Sequence, residues 1–345
     1  MIPNTVALEE YLTPLIPFLE DSTCSEILIN QPNIVFIERQ GSFEKYKVDS
    51  LDKRHLMGLA NLIARFSDQR LSEKEPLLSG ILPSGHRIQI ILPPATSLEK
   101  IVIVIRKQTI EDISLDDYHQ LGAFQNTNAY YLPDISSFSK TKVDNDDVLL
   151  THFYEGKFID FLKNAIKLKK NILISGATST GKTTLLNACL KEIDIHEHIV
   201  TLEDVAEVKP PHEIHTALFT SKGLQGSANI TMQDLVQASL RIRPDRIIMG
   251  ELRGAEASDF INATSTGHDG SLSSVHAPSP YVALMRLVHM VKLSGTSLSR
   301  EDILHDLLTV IDIIVQLKRR VENNLSFREI TEIYYVNASK PNKLG

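Results

Sequence analysis

The stretch Gly176-Ala177-Thr178-Ser179-Thr180-Gly181-Lys182-Thr183 fits the pattern G-x-x-x-x-G-K-[ST]. A loop of this kind works only between a buried strand and a helix, and the sequence supplies both. Asn171 to Ser175 reads N-I-L-I-S, a short apolar run that predicts a buried parallel strand ending at the loop. Thr184 to Leu190 reads as the helix that follows. Gly176 and Gly181 let the backbone curl so that successive N–H groups aim at one phosphate. The helix N-terminus adds its dipole. Lys182 can reach the β- and γ-phosphates, and Thr183 can place its hydroxyl on Mg²⁺. The eight loop residues and Thr184 are therefore the candidate nucleotide-binding residues.

Three further strands carry polar groups to places where open α/β sheets bind ligands. His198 to Leu202 delivers Glu203, Asp204 and Glu207. Ile247-Ile248-Met249-Gly250-Glu251 ends in an acid, but Gly250 sits where a generic P-loop hydrolase has the Asp that holds Mg²⁺. Mg²⁺ is accordingly expected on Thr183, with Glu251 acting through a water or on the attacking nucleophile. The glycine-flanked stretch Thr266 to Ala277 is bracketed by His268 and His276. Between these strands, Thr231-Met232-Gln233-Asp234 fits a capping box that opens a helix, and Pro244 stops it.

The N-terminal part reads as a mixed α/β unit over 1–108. Val6 to Leu19 has helical spacing interrupted by Pro14 and Pro17, which predicts a broken helix. Strands are expected at Glu26–Asn30, Val35–Glu38, Leu77–Leu82, Arg87–Leu92 and Ile101–Arg106, with an amphipathic helix over Leu51–Phe66. Taken alone, Arg87 and Arg106 read as a solvated strand face. The patterning fades over 109–157, which is assigned to a linker region, and 158–345 to the P-loop domain. Thr141-Lys142-Val143-Asp144 has the form of a guanine-recognition motif, but no Asp in the chain has Gly three residues later, so a permuted GTPase is set aside.

The 345 residues suffice for two domains, and a formal net charge of -7 argues against a broad nucleic-acid footprint. Cys24 and Cys189 lie far apart and make no metal-ligand spacing. The opening Met1-Ile2-Pro3-Asn4-Thr5 has no basic region, so no signal peptide is expected, and apolar runs are strand-sized rather than membrane-spanning.

Taken together, the loop 176–183, the box Thr201-Leu202-Glu203-Asp204, the stretch 243–254 (RPDRIIMGELRG) and the box 267–276 resemble the secretion superfamily of hexameric ATPases. Glu26-Ile27-Leu28-Ile29-Asn30-Gln31-Pro32, Pro76-Leu77-Leu78-Ser79-Gly80, Gly85-His86-Arg87-Ile88-Gln89 and Leu92-Pro93-Pro94-Ala95 resemble the N-terminal domain of its type IV secretion traffic ATPases. The resemblance covers most of the chain except roughly 109–150. It implies an α/β protein, with a RecA-like ATPase domain preceded by a smaller N-terminal domain. It also implies ATP and Mg²⁺ as ligands, a homo-hexamer, and other secretion-machine components as partners at the cytoplasmic face of the inner membrane. On this resemblance Glu203 polarises the attacking water, Glu251 supports Mg²⁺ and water, and His276 and His268 sense the γ-phosphate. Arg87 and Arg106 become phosphate-facing arginines, and Arg241 and Arg253 link neighbouring elements. No stable nucleic-acid binding is expected. A pilus or type II secretion ATPase, a RecA-like nucleic-acid translocase and a non-motor nucleotide-binding scaffold remain open as alternatives.

Overall fold

The computed structural model describes residues 5–39, 42–107, 112–133, 146–220, 230–322 and 325–340. The chain divides into two compact units, one built on Met1–Thr109 and the other on most of the chain from Ile110 onward.

The first unit opens with α1 (Val6–Leu12), which passes through a 3-10 turn at Thr13–Leu15 into α2 (Ile16–Glu20). Pro14 and Pro17 each fall in a first-turn position, where the missing N–H has no intrahelical partner to lose. The expected break is thus a change of helix type. Then come β1 (Cys24–Gln31), β2 (Ile34–Arg39), β3 (Ser42–Lys47), α3 (Lys53–Phe66), β4 (Leu77–Ile81), β5 (Arg87–Ile91) and β6 (Val102–Arg106). The strands form one antiparallel sheet in the order β3-β2-β1-β6-β5-β4. Asp52 caps α3 by accepting the His55 N–H. The helix buries Leu56, Leu59 and Ile63 in one core with the inward-facing Ile27, Ile103 and Ile105, each such side chain stabilising by about 1.5–3 kcal/mol.

The second unit contains α4 (Leu115–Gln120), β7 (Asn128–Tyr130), α5 (Asp146–Tyr154), α6 (Phe158–Lys167), β8 (Ile172–Gly176), α7 (Lys182–Leu190), β9 (Ile199–Glu203) and β10 (His215–Phe219). It continues with α8 (Met232–Ser239), β11 (Arg246–Leu252), α9 (Glu256–Ser265), β12 (Leu272–Val275), α10 (Pro280–Lys292), α11 (Arg300–Val310), β13 (Ile313–Glu322) and β14 (Leu325–Tyr335). The strand order is β10-β9-β11-β12-β8-β13-β14-β7. From β10 through β13 every neighbouring pair is parallel. Ile172 and Ile174 point into a core shared with α5, α6 and α7, whereas Leu173 points into a core shared with α8 to α11. Burial on both faces is why these strands read as unbroken apolar runs.

Residues 112–133 and 146–157, within the stretch read as a linker region, carry α4, β7 and α5 and cluster with the second unit. Leu115, Tyr118, Leu149 and Phe153 lie in its core. The acidic residues that dull the patterning have local work: Asp117 and Ser114 form the capping box of α4, and Asp112 and Asp116 pair with Lys191 and Lys163. The Thr141–Asp144 motif lies outside the described residues.

Candidate active site at the carboxyl rim of the larger sheet

Because β9, β11, β12 and β8 are adjacent and parallel, their carboxyl ends form one rim. The loop 176–183 leaves β8 at that rim, Glu203 ends β9, Glu251 lies near the end of β11, and His276 follows β12. The topology alone therefore gathers the loop, both acids and one histidine.

The loop has the backbone the motif calls for. Gly181 sits at φ +89°, and Ser179, which has a Cβ, is held at φ +61°, a strained conformation of the kind found at ligand clamps. Thr180 Oγ1 donates to Ala177 O at 2.9 Å and braces the turn. A Cβ at Gly176 would lie 2.5 Å from Thr180 Oγ1 and 3.1 Å from the Leu317 carbonyl, so the loop admits no side chain there. Lys182 is buried, and its Nζ donates to Gly176 O at 3.0 Å and Ala177 O at 3.1 Å. Thr183 and Thr184 follow in the first turn of α7. An ammonium pinned inside a ring of backbone groups at a helix N-terminus is suited to a phosphate.

A line of polar contacts runs from Lys182 along the rim. His276 Nδ1 lies 3.1 Å from Lys182 Nζ, and His276 Nε2 lies 3.2 Å from Glu251 Oε1. An ammonium can only donate, so Nδ1 accepts and Nε2 carries the proton toward Glu251. Burial and then the Lys182 charge push His276 below the ordinary histidine value, against an upward pull from Glu251. Glu251 accepts from Arg253 Nη2 at 2.9 Å, and Arg253 Nη1 donates to Asp204 at 2.7 Å. Burial pushes the Glu251 carboxyl up, but Arg253, His276 and Lys182 outweigh it and hold it below its ordinary value. Glu203 is buried, and its Oε1 accepts the N–H groups of Glu207 at 2.9 Å and Val208 at 2.8 Å.

The register explains how Glu251 reaches this line. Met249 pairs with Ser273 and Leu252 with Val275, so β11 spends one residue more than β12 across the interval. That bulge falls at Gly250-Glu251 and re-aims the following side chains. Gly250 packs against Glu203: a Cβ there would be in ordinary contact with Glu203 Cγ at 3.4 Å.

The other sequence-derived residues belong to other elements. Arg87 and Arg106 belong to the first unit, where they are direct cross-strand partners on β5 and β6. His268 precedes β12 and His276 follows it, so about 13 Å of strand separates them, and His268 Nδ1 faces the Ala263 carbonyl. His268 is thus removed from the rim, and the γ-phosphate role read for it is corrected on that ground. Arg241 is exposed ahead of β11, at the opposite edge of the sheet from Arg253. Arg328 on β14 escaped the sequence reading: a Cβ at Gly181 would meet its Cδ at 2.7 Å. No motif signals an arginine packed over the loop from so distant a strand.

A family model described as Type II/IV secretion system protein matches residues 137–337. The chain belongs to that family. The type IV secretion system protein VirB11 of Brucella suis biovar 1 is 37% identical over 339 residues, covering 97% of this chain and 91% of its own length. VirB11 of Bartonella quintana is 38% identical, covering 97% and 94%. The PtlH homolog of Bordetella bronchiseptica is 34% identical, covering 95% of each. The crystal structure of the VirB11 ATPase of the Brucella suis type IV secretion system, in complex with sulphate, matches with a TM-score of 0.52 at 36% identity, covering 96% and 95%. The pilus retraction motor PilT with bound ADP matches with a TM-score of 0.60 at 17% identity, which speaks for the fold alone. This member of the family is a type IV secretion ATPase, with a RecA-like domain preceded by a smaller α/β unit, as the motif order implied.

Proposed function

We propose that this chain is the ATP-hydrolysing motor of a type IV secretion system, acting as a homo-hexamer at the cytoplasmic face of the inner membrane, and that its carboxyl rim is the catalytic site. The observation that carries the reading is the convergence of Lys182, Glu203, Glu251 and His276 on one rim of a parallel sheet, in a chain similar along nearly its whole length to VirB11 proteins. Among the described residues no helix is long and apolar enough to cross a membrane, so membrane association in this reading runs through partner components.

Residues Gly176 to Thr184 hold the phosphates, with Lys182 exchanging its carbonyl partners for phosphate oxygens. The donors present fit Mg²⁺: the Thr183 hydroxyl and the carboxylates of the rim are hard oxygen ligands. Among the described residues no group of three His, Cys, Asp or Glu could hold a metal by itself, and a P-loop metal needs no such group because phosphate and water complete its shell. Mg²⁺, when bound, neutralises charge on the β- and γ-oxygens; Thr183 would hold it directly and Glu251 through water. Glu203 orients the attacking water, its carboxylate plane fixed beforehand by two backbone amides. His276, between Lys182 and Glu251, reports the γ-phosphate to both. Arg87 and Arg106 supply further phosphate-facing cations.

Lys182→Ala tests the reading. Hydrolysis should be lost and nucleotide affinity much reduced, while the thermal melt stays that of the parent chain. A folded variant with normal phosphate release would refute the site.

A further inference from the structure

A hydroxyl that ligates a cation does so through a lone pair, so its proton must point elsewhere. An acceptor for that proton fixes the hydroxyl rotamer and strengthens it as a ligand. In a generic P-loop hydrolase the carboxylate beside this hydroxyl comes from the strand that is β11 here. In this chain that position is Gly250, and the next residue, Glu251, is occupied by Arg253 and His276.

The carboxylate that meets Thr183 comes from another element. Thr183 Oγ1 donates to Glu207 Oε2 at 3.3 Å. Glu207 is fixed at both ends of its backbone as well: its N–H donates to Glu203 Oε1 at 2.9 Å, and its carbonyl accepts from Asn187 Nδ2 at 3.0 Å. Asn187 Oδ1 in turn accepts from the Lys209 N–H at 2.8 Å. One residue in the second turn of α7 thus grips the segment after β9 on both sides of Val208. A loop carboxylate so restrained, aimed at the hydroxyl that opens α7, is built for position.

We propose that Glu207 is a positioning residue for Mg²⁺: it accepts the Thr183 hydroxyl hydrogen bond and so turns the oxygen lone pair to the metal, in place of the acid that β11 lacks at Gly250. This rests on the nucleotide reading above. It also divides the acids by task, with Glu203 on the attacking water, Glu251 in the histidine–arginine line and on a metal-bound water, and Glu207 behind the hydroxyl that ligates the metal.

The test uses the full chain and a fluorescent ADP analogue, titrated with MgCl₂ and, separately, in EDTA. Glu207→Ala should raise the Mg²⁺ concentration for half-maximal tightening by about tenfold or more, the usual effect of removing the hydrogen-bond partner of a metal ligand. Affinity in EDTA should stay at the parent value. Glu207→Gln keeps an acceptor oxygen and the backbone clamps, so it should fold normally and recover part of the Mg²⁺ response. A residue that merely braces the loop would lower affinity equally in EDTA and leave the Mg²⁺ midpoint alone; that result overturns the proposal. So would a midpoint shifted in Glu251→Gln and unchanged in both Glu207 variants. A parent chain binding no nucleotide in either condition would instead overturn the nucleotide reading and this assignment with it.

Discussion

The two ends of the eight-stranded sheet both carry charge, and they use it differently. At the amino end, Arg246 is buried and donates through Nε and Nη2 to the two oxygens of Glu197, both at 2.9 Å, while Nη1 reaches the Ile166 carbonyl at 2.8 Å. Asp146, fully buried, accepts from Lys170 at 2.7 Å, Tyr335 at 2.9 Å and Asn337 at 2.8 Å. Asp312 accepts the Asn171 N–H. These are closed sets: Arg246 and Asp146 each meet an opposite charge and further hydrogen bonds, and Asp312 meets a backbone amide. At the carboxyl end, Lys182, His276, Glu251, Arg253 and Asp204 form an open line whose members share partners, and Arg253 is 42% exposed. Closed sets hold elements in place; an open line can exchange one partner for a ligand. The glycines divide the same way. Gly270, at φ +82°, gives room to Arg246, since a Cβ there would fall 2.6 Å from Nη1. At the carboxyl end, Gly176 gives room to Thr180 of its own loop and Gly181 to Arg328.

If that distinction is right, the largest stability effect belongs to the amino end. Arg246→Met removes the buried cation and leaves Glu197, itself only partly buried, to Lys169 3.1 Å away. Breaking a fully buried pair costs about 3–5 kcal/mol, and this half-compensated one should fall at the lower end. In a unit of this size the midpoint should fall by roughly 6–12 °C even at the lower figure. Calorimetry decides. A drop comparable to that of an exposed pair such as Lys47–Asp49 would erase the contrast between the two ends.

The carboxyl end should respond in turnover and not in stability. Glu203→Gln retains an oxygen to accept the Glu207 and Val208 amides, so its melt should match the parent. Without the carboxylate charge, hydrolysis should drop about a hundredfold or more. Glu251→Gln loosens the line to Arg253 and His276 and should cost less. Steady-state phosphate release on the two variants ranks them; near-normal Glu203→Gln beside dead Glu251→Gln would reverse the assignment of the water.

Much of this was legible because the motif and its setting are local. Strand, loop and helix occupy one stretch from Asn171 to Leu190, and strands buried on both faces announce themselves as apolar runs. What escaped had no such signature. β3 is exposed along nearly its whole length and β10 is a half-exposed edge, so neither shows a one-sided pattern. The stretch 109–157 hid α4 and α5 behind capping and ion-pairing acids. Within the site, the acids were legible as strand ends, but their division of labour was not. It depends on a bulge at Gly250-Glu251 and on Asn187 gripping the segment after β9, which are tertiary facts. The distance between His268 and His276 was available in principle, since the strand between them sends them to opposite edges.

The smallest predicted effect probes the open line directly, through the His276 proton. The groups acting on its ring are Lys182, Glu251, Arg253 and Arg286, together with burial, and their net effect holds it below the ordinary value of 6.5. A depressed folded-state value means the neutral ring is favoured. Its contribution to stability is present above that ordinary value and is lost as pH falls below it toward the folded-state value. Two substitutions should move the titration in opposite directions. Lys182→Met removes the cation 3.1 Å from Nδ1, and the titration should rise toward the ordinary value, short of reaching it because burial remains. Glu251→Gln removes the carboxylate 3.2 Å from Nε2, and the titration should fall further. Histidine-labelled NMR over pH 4 to 8 (roughly the imidazole range) reads both. Shifts of the same sign in the two variants, or no shift in either, would mean that His276 answers to burial alone and that no line of charge connects the loop lysine to Glu251.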